Sequence, residues 1–114
     1  MAKKDIYCFK KVLKQYKVYH YFKKGLHECI DEYTKDMYYP TWKQIIGKVC
    51  LENNDFSISS MIAYLSKEHN IHYTTHDMIR TVINHLINYT LILQRKVTQD
   101  KVANEILYEM MKND

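Results

Sequence analysis

A mainly α-helical fold with one small β element is predicted, on three observations. Apolar residues recur every three or four positions along most of the chain, which is the repeat of a helix face. The chain has Gly 2 and Pro 1, so few sites exist for tight turns. One run, Tyr89–Val97 (YTLILQRKV), is rich in β-branched, aromatic and long apolar residues and reads as a strand. With 114 residues, 46% of them hydrophobic, the chain fits one domain with a real core.

The elements follow in order. Asp5 is a candidate cap for a first helix running to about Phe22. Ile6, Phe9, Leu13 and Tyr16 share its apolar face, with Lys10, Lys14 and Lys17 between them. Val18–Phe22 is locally strand-like and Gly25 is a candidate break, so residues 5–37 form either one bent helix or two. Leu26, Cys29, Ile30, Tyr33 and Met37 mark the next apolar face, opposite Glu28, Asp31, Glu32 and Asp36. Tyr38-Tyr39-Pro40 ends that helix, because proline disfavours helical geometry in the residue before it. Thr41 with Gln44 is a capping box for a helix to about Glu52, with Trp42, Ile45, Ile46, Val49 and Cys50 inward.

Asn53-Asn54-Asp55 is a turn cluster. Ser57 caps the next helix, with Ile58, Met61, Ile62 and Leu65 on one narrow face, fading around Lys67 to His69. Thr74 caps the one after, with Asp77 three residues on. Met78, Ile79, Val82 and Leu86 form its buried face and Ile83 lies on the edge. Asp77, Arg80, Thr81, Asn84 and Asn88 lie opposite. Asp55–Ser57 is a candidate short strand to pair with Leu91–Leu93. Thr98 or Asp100 then caps a last helix, Lys101 to about Lys112, with Val102, Ile106 and Met110 four apart. The single domain thus divides into a lysine-rich N-terminal extension (1–38), a core (41–97) and a C-terminal helix (99–112).

Residues 57–97 run helix, polar connection, helix, β-prone segment. This order resembles a winged helix-turn-helix, and with the helix from Trp42 the resemblance covers residues 42–97. LINYTLILQRK resembles that family's exit from its second helix, with Tyr89-Thr90 where a glycine often sits. The resemblance implies a three-helix core, and a recognition helix over 75–88 whose exposed face enters the major groove of duplex DNA. No return strand follows, so the wing is expected to be reduced. It further implies that Arg80 reads guanine, that Asn84 or Asn88 reads adenine, and that Thr81 lies on the same face. Thr74, Thr75 and His76 then meet phosphate at the helix N-terminus, and Arg95 and Lys96, the basic residues that follow the apolar pair of this exit, belong to the same DNA-binding set.

The formal net charge of +4 is unevenly placed. Residues 1–24 hold eight lysines against one acid, and the remainder holds nine Lys+Arg against twelve acids. Lys10, Lys14 and Lys17, interleaved with Tyr16, Tyr19 and Tyr21, can follow a phosphate backbone. The same lysines also suit a plain solvent face or contact with the acidic face of the next helix or a partner.

Other classes find little support. No apolar run reaches the ~20 residues of a membrane helix, and no signal-peptide core is present, so an intracellular protein is expected. Cys8, Cys29 and Cys50 are odd in number and set in apolar surroundings, as buried free thiols are. His69, His72 and His76 straddle a turn, with no cysteine near, so no metal is expected. His27-Glu28-Cys29 lacks the Pro-Cys-x-x-Cys partner of a zinc deaminase. Two glycines cannot build a nucleotide cradle, and no HExxH or nucleophile elbow is present, so neither an enzyme nor a cofactor is expected.

Two functions compete. One is a small DNA-binding regulator; the abundance of Lys, Ile, Asn and Tyr suits the AT-rich genome of a virus or mobile element. It is expected to act as a homodimer through Val102, Ile106 and Met110. The other is a protein-interaction module, such as a virus-derived inhibitor of a host protein, because residues 55–97 are close to neutral. The regulator reading needs the polar side of the Thr74 helix outward and Tyr89–Val97 extended.

Overall fold

A computed structural model describes residues 4–34, 41–94 and 96–112, and within them the fold is all-helical. The helices are α1 (Asp5–Gln15), α2 (Tyr19–Tyr33), α3 (Trp42–Glu52), α4 (Ile58–His69), α5 (Thr75–Leu86), α6 (Tyr89–Gln94) and α7 (Gln99–Lys112). Helix α5 is the axis of the molecule. It packs against α2, α3, α4 and α7, and Met78, Ile79, Val82 and Ile83 are fully buried. Helix α2 lies along α3, and α1 lies along α7.

Residues 5–37 hold two helices as far as they are described, and the break falls earlier than Gly25. Lys17 takes the left-handed conformation at φ 58, and the Val18 N–H donates to the Leu13 carbonyl at 3.0 Å. That closes α1 as a glycine-type C-cap would, while Val18 is buried beneath it. A lysine in this conformation costs about 1 kcal/mol relative to glycine. Lys17→Gly is therefore expected to stabilise the fold by about that amount and raise the melting temperature by roughly 4 °C. A thermal melt checks it, and an unchanged or lower midpoint would refute it.

Gly25 sits inside an unbroken α2. It is there because α2 crosses α5 closely: a Cβ would lie 2.5 Å from the Leu86 carbonyl oxygen. Gly47 serves the same end where α3 crosses α2 at Cys29.

Three predicted caps form. Thr41 Oγ1 accepts from the Gln44 N–H at 3.3 Å, Ser57 Oγ from the Ser60 N–H at 3.2 Å, and Thr74 Oγ1 from the Asp77 N–H at 3.1 Å. Thr98, rather than Asp100, caps α7, accepting from the Lys101 N–H at 3.1 Å. Asp5 does not cap its own helix, which has Lys4 in that place. Its carboxylate accepts instead from the Ile58 N–H at 2.8 Å, tying α1 to the start of α4.

The strand expected over Tyr89–Val97 is not there: Tyr89–Gln94 is helical. Asn88 Oδ1 accepts from the Thr90 N–H at 2.9 Å and starts the turn, and Ile92 is buried as its apolar anchor. The physical reason is pairing. A strand needs a neighbour for its N–H and C=O groups, whereas a helix satisfies them internally. Asp55–Ser57 offers no such neighbour, for Phe56 turns into the core against Phe9 (4.9 Å) and Phe22 (5.6 Å). No strand occurs among the described residues. Met37 and the Tyr38–Pro40 stop lie outside them.

Cys8, Cys29 and Cys50 are buried free thiols. Burial pushes the Cys29 thiol from its ordinary 9.0 up to about 12 and the Cys50 thiol up to about 11. Burial, with the hydrogen bond to Glu105, pushes the Tyr16 phenol up to about 12. Raised values favour the folded state while the groups stay protonated. That contribution is complete below about pH 9 and is lost as pH climbs through about 12. Urea midpoints are expected to hold at neutral pH and to fall steadily above about pH 9. A midpoint unchanged up to about pH 11 would contradict this.

Candidate nucleic-acid interface

The early end of α1 folds α2 back beside it, so the lysines of both helices meet at one corner. Lys14 and Lys17 from the end of α1 join Tyr19, His20 and Lys23 from the start of α2 around a recess of about 320 Å³. Lys10 and Lys23 each hold their ammonium 5.8 Å from the centre of the Tyr19 ring. Lys24 follows on an exposed position of the same turn. Among the described residues, no carboxylate lies within ion-pair distance of Lys10, Lys14, Lys17, Lys23 or Lys24. Lys11 differs, because it is paired to Glu109 at 3.2 Å. Tyr16 leaves the corner entirely: its hydroxyl donates to the Glu105 carboxylate, at 2.6 Å to the nearer oxygen.

The α5 face is less free than the sequence suggests. Thr74, Thr75, Asn84 and Asn88 are exposed, and Thr81 and Arg80 are half-buried, so the polar side does point outward. Arg80, however, donates from Nη1 to Asp100 at 3.1 Å and from Nη2 to Asp77 at 3.5 Å. The Thr74 hydroxyl is spent as a cap and the Asn88 side-chain oxygen is spent on α6. His76 lies half-buried with Nδ1 3.8 Å from Asp77, and its Nε2 is buried with no hydrogen-bond partner among the described residues. Lys96 is exposed, in the left-handed conformation at φ 52. Arg95 lies outside the described residues. No protein-family model matches this chain, and no curated protein or solved structure matches it.

Two of the three residues expected at a dimer surface are inside the molecule. Val102 is 1% and Ile106 0% exposed, both within the chain's own core, and Met110 is packed against that core. The reason is the neighbouring helices: α7 packs along α1 and α5, so its apolar face is buried in the shared core. What α7 leaves outward is Tyr108 and Met111, 65% and 64% exposed.

Among the described residues, no group of three metal-ligating side chains is placed to hold an ion. His72 is engaged with Ser66 and Asn70, each at 3.2 Å. No helix among them is long and apolar enough to cross a membrane. Lys23, Lys24 and His20 belong to the corner but were not singled out from sequence. The +7 excess of the first 24 residues was the available signal. Lacking was the position of the break, which decides which lysines meet.

Proposed function

We propose that this chain is a small nucleic-acid-binding protein that holds the phosphate backbone of duplex DNA at the α1–α2 corner. The observation that carries this reading is the set of lysines there that have no carboxylate partner among the described residues. Cations kept unpaired and crowded repel one another, and a polyanion relieves that repulsion while releasing its counterions. Two lysines flanking the Tyr19 ring give the recess a defined wall. The α3–α5 trio, with α4 and α5 joined by a short connection, keeps the order of a helix-turn-helix, but the extended segment that a role in gene regulation needed is helical over Tyr89–Gln94, so duplex binding at the corner stands without that role. A winged-helix relationship rests on that trio alone, since the segment expected to begin a wing is α6.

A second reading is a protein-interaction module. The observation favouring it is the neutralised α5 face, where Arg80 is occupied by two carboxylates. Titrating a labelled mixed-sequence duplex at several salt concentrations separates the two. The first reading requires binding that weakens steeply with salt. No binding at low salt would leave the second.

A further inference from the structure

We infer that Asp100 decides whether Arg80 reads a base edge, and that guanine is the base it would read. The inference rests on the duplex-binding reading above. Helix α7 is fixed at this end, for Val102, Ala103 and Ile106 are buried and Thr98 caps the first turn. Asp100 therefore stands at a set position over α5. It meets Arg80 at 3.1 Å, and Asp77, one turn back on α5, meets the same guanidinium at 3.5 Å. Two carboxylates around one cation leave the trio net negative, so as it stands this face repels phosphate.

The same geometry makes the arrest reversible. The Arg80 and Asp100 side chains are 43% and 60% exposed. A pair this open holds the arginine by no more than about fivefold. Beside it, Arg80, Asn84, Thr98, Gln99 and Asp100 line a hollow of about 310 Å³. Asn84 stands one turn on from Arg80, so an arginine released from Asp100 moves beside an exposed amide able to bind adenine. Guanine offers N7 and O6 as two neighbouring acceptors that an arginine fork can engage together, as it can a carboxylate, which is why guanine can take Asp100's place. Without that exchange, the lysine corner holds duplex without regard to sequence, since phosphate contacts carry no base information.

The test is a double-mutant cycle read by fluorescence anisotropy. Wild type, Asp100→Asn, Arg80→Ala and the double variant are titrated with one guanine-containing duplex and one built only of A·T pairs. Asp100→Asn is expected to tighten the guanine duplex about fivefold and the A·T duplex by less than about twofold, with no gain once Arg80 is alanine. A gain equal on both duplexes, or one surviving in Arg80→Ala, is the plain removal of a negative charge and overturns the inference. So does no gain at all. In either case wild-type binding that weakens with salt leaves the duplex-binding reading standing, whereas wild type binding neither duplex at low salt ends both. Asp77→Asn, which loosens the same guanidinium from within α5, must give a gain of the same sign. A melt of each variant confirms that it is folded.

Discussion

Gly47→Ala is expected to lower the melting temperature by roughly 10 °C or more. The sign is not obvious, because alanine is the better helix former by about 1 kcal/mol in a helix interior. Space decides it. A Cβ at position 47 runs into the Cys29 carbonyl on the backbone of α2, and it also meets Tyr33 Cβ at 3.1 Å. A side chain could rotate away, but a carbonyl in the middle of a helix cannot. Helices α2 and α3 must then move apart along the interface that holds Ile46, Val49 and Cys29. Overpacking of this kind costs about 1–3 kcal/mol or more, and separation adds lost contacts elsewhere along the pair. A net loss of about 3 kcal/mol gives the stated shift for a domain of this size. Gly25→Ala meets the Leu86 carbonyl and is expected to behave alike. If Gly47→Ala melts at or above the wild-type temperature, α2 and α3 do not cross as closely as described.

The same two glycines show what the sequence could and could not convey. Scarce glycine predicts few turns, and that reading holds: the described residues are helical with short connections. Scarcity says nothing about why the remaining two were kept. Gly25 looks like a break by composition and is a crossing point by geometry, since a crossing depends on a residue some sixty positions away. The caps at Thr41, Ser57 and Thr74 were legible because an N-cap hydrogen bond spans only three residues. Asp5 was not, because its carboxylate meets the start of a helix 53 positions along the chain.

Tyr89–Gln94 was misread for a related reason. Its composition fits a pleated surface, but β preference describes packing against a partner strand, and none occurs among the described residues. The site divides along the same line. The lysine excess is visible in the sequence and the corner that gathers it is not, while Asp100, a cap candidate by sequence, meets Arg80 because α7 packs on α5.

Lys14→Gln with Lys23→Gln is the second large effect expected. One comes from each helix lining the recess, and neither breaks an ion pair among the described residues. The fold should therefore keep its melting temperature while binding suffers. Each lysine that meets a phosphate contributes about 0.9 to the slope of log affinity against log salt, so the pair should reduce that slope by about 1.8. If affinity at about 1 M salt is left unchanged, the same slope gives a loss of roughly 60-fold at about 0.1 M. The loss should be equal for every duplex, because these contacts touch no base. Lys48→Gln is the control: that lysine lies on α3, already 3.5 Å from Glu52, and should change binding little. Equal behaviour of the double variant and this control would remove the corner from the interface. The lysines of the α1–α2 turn would then be no more than a solvated edge.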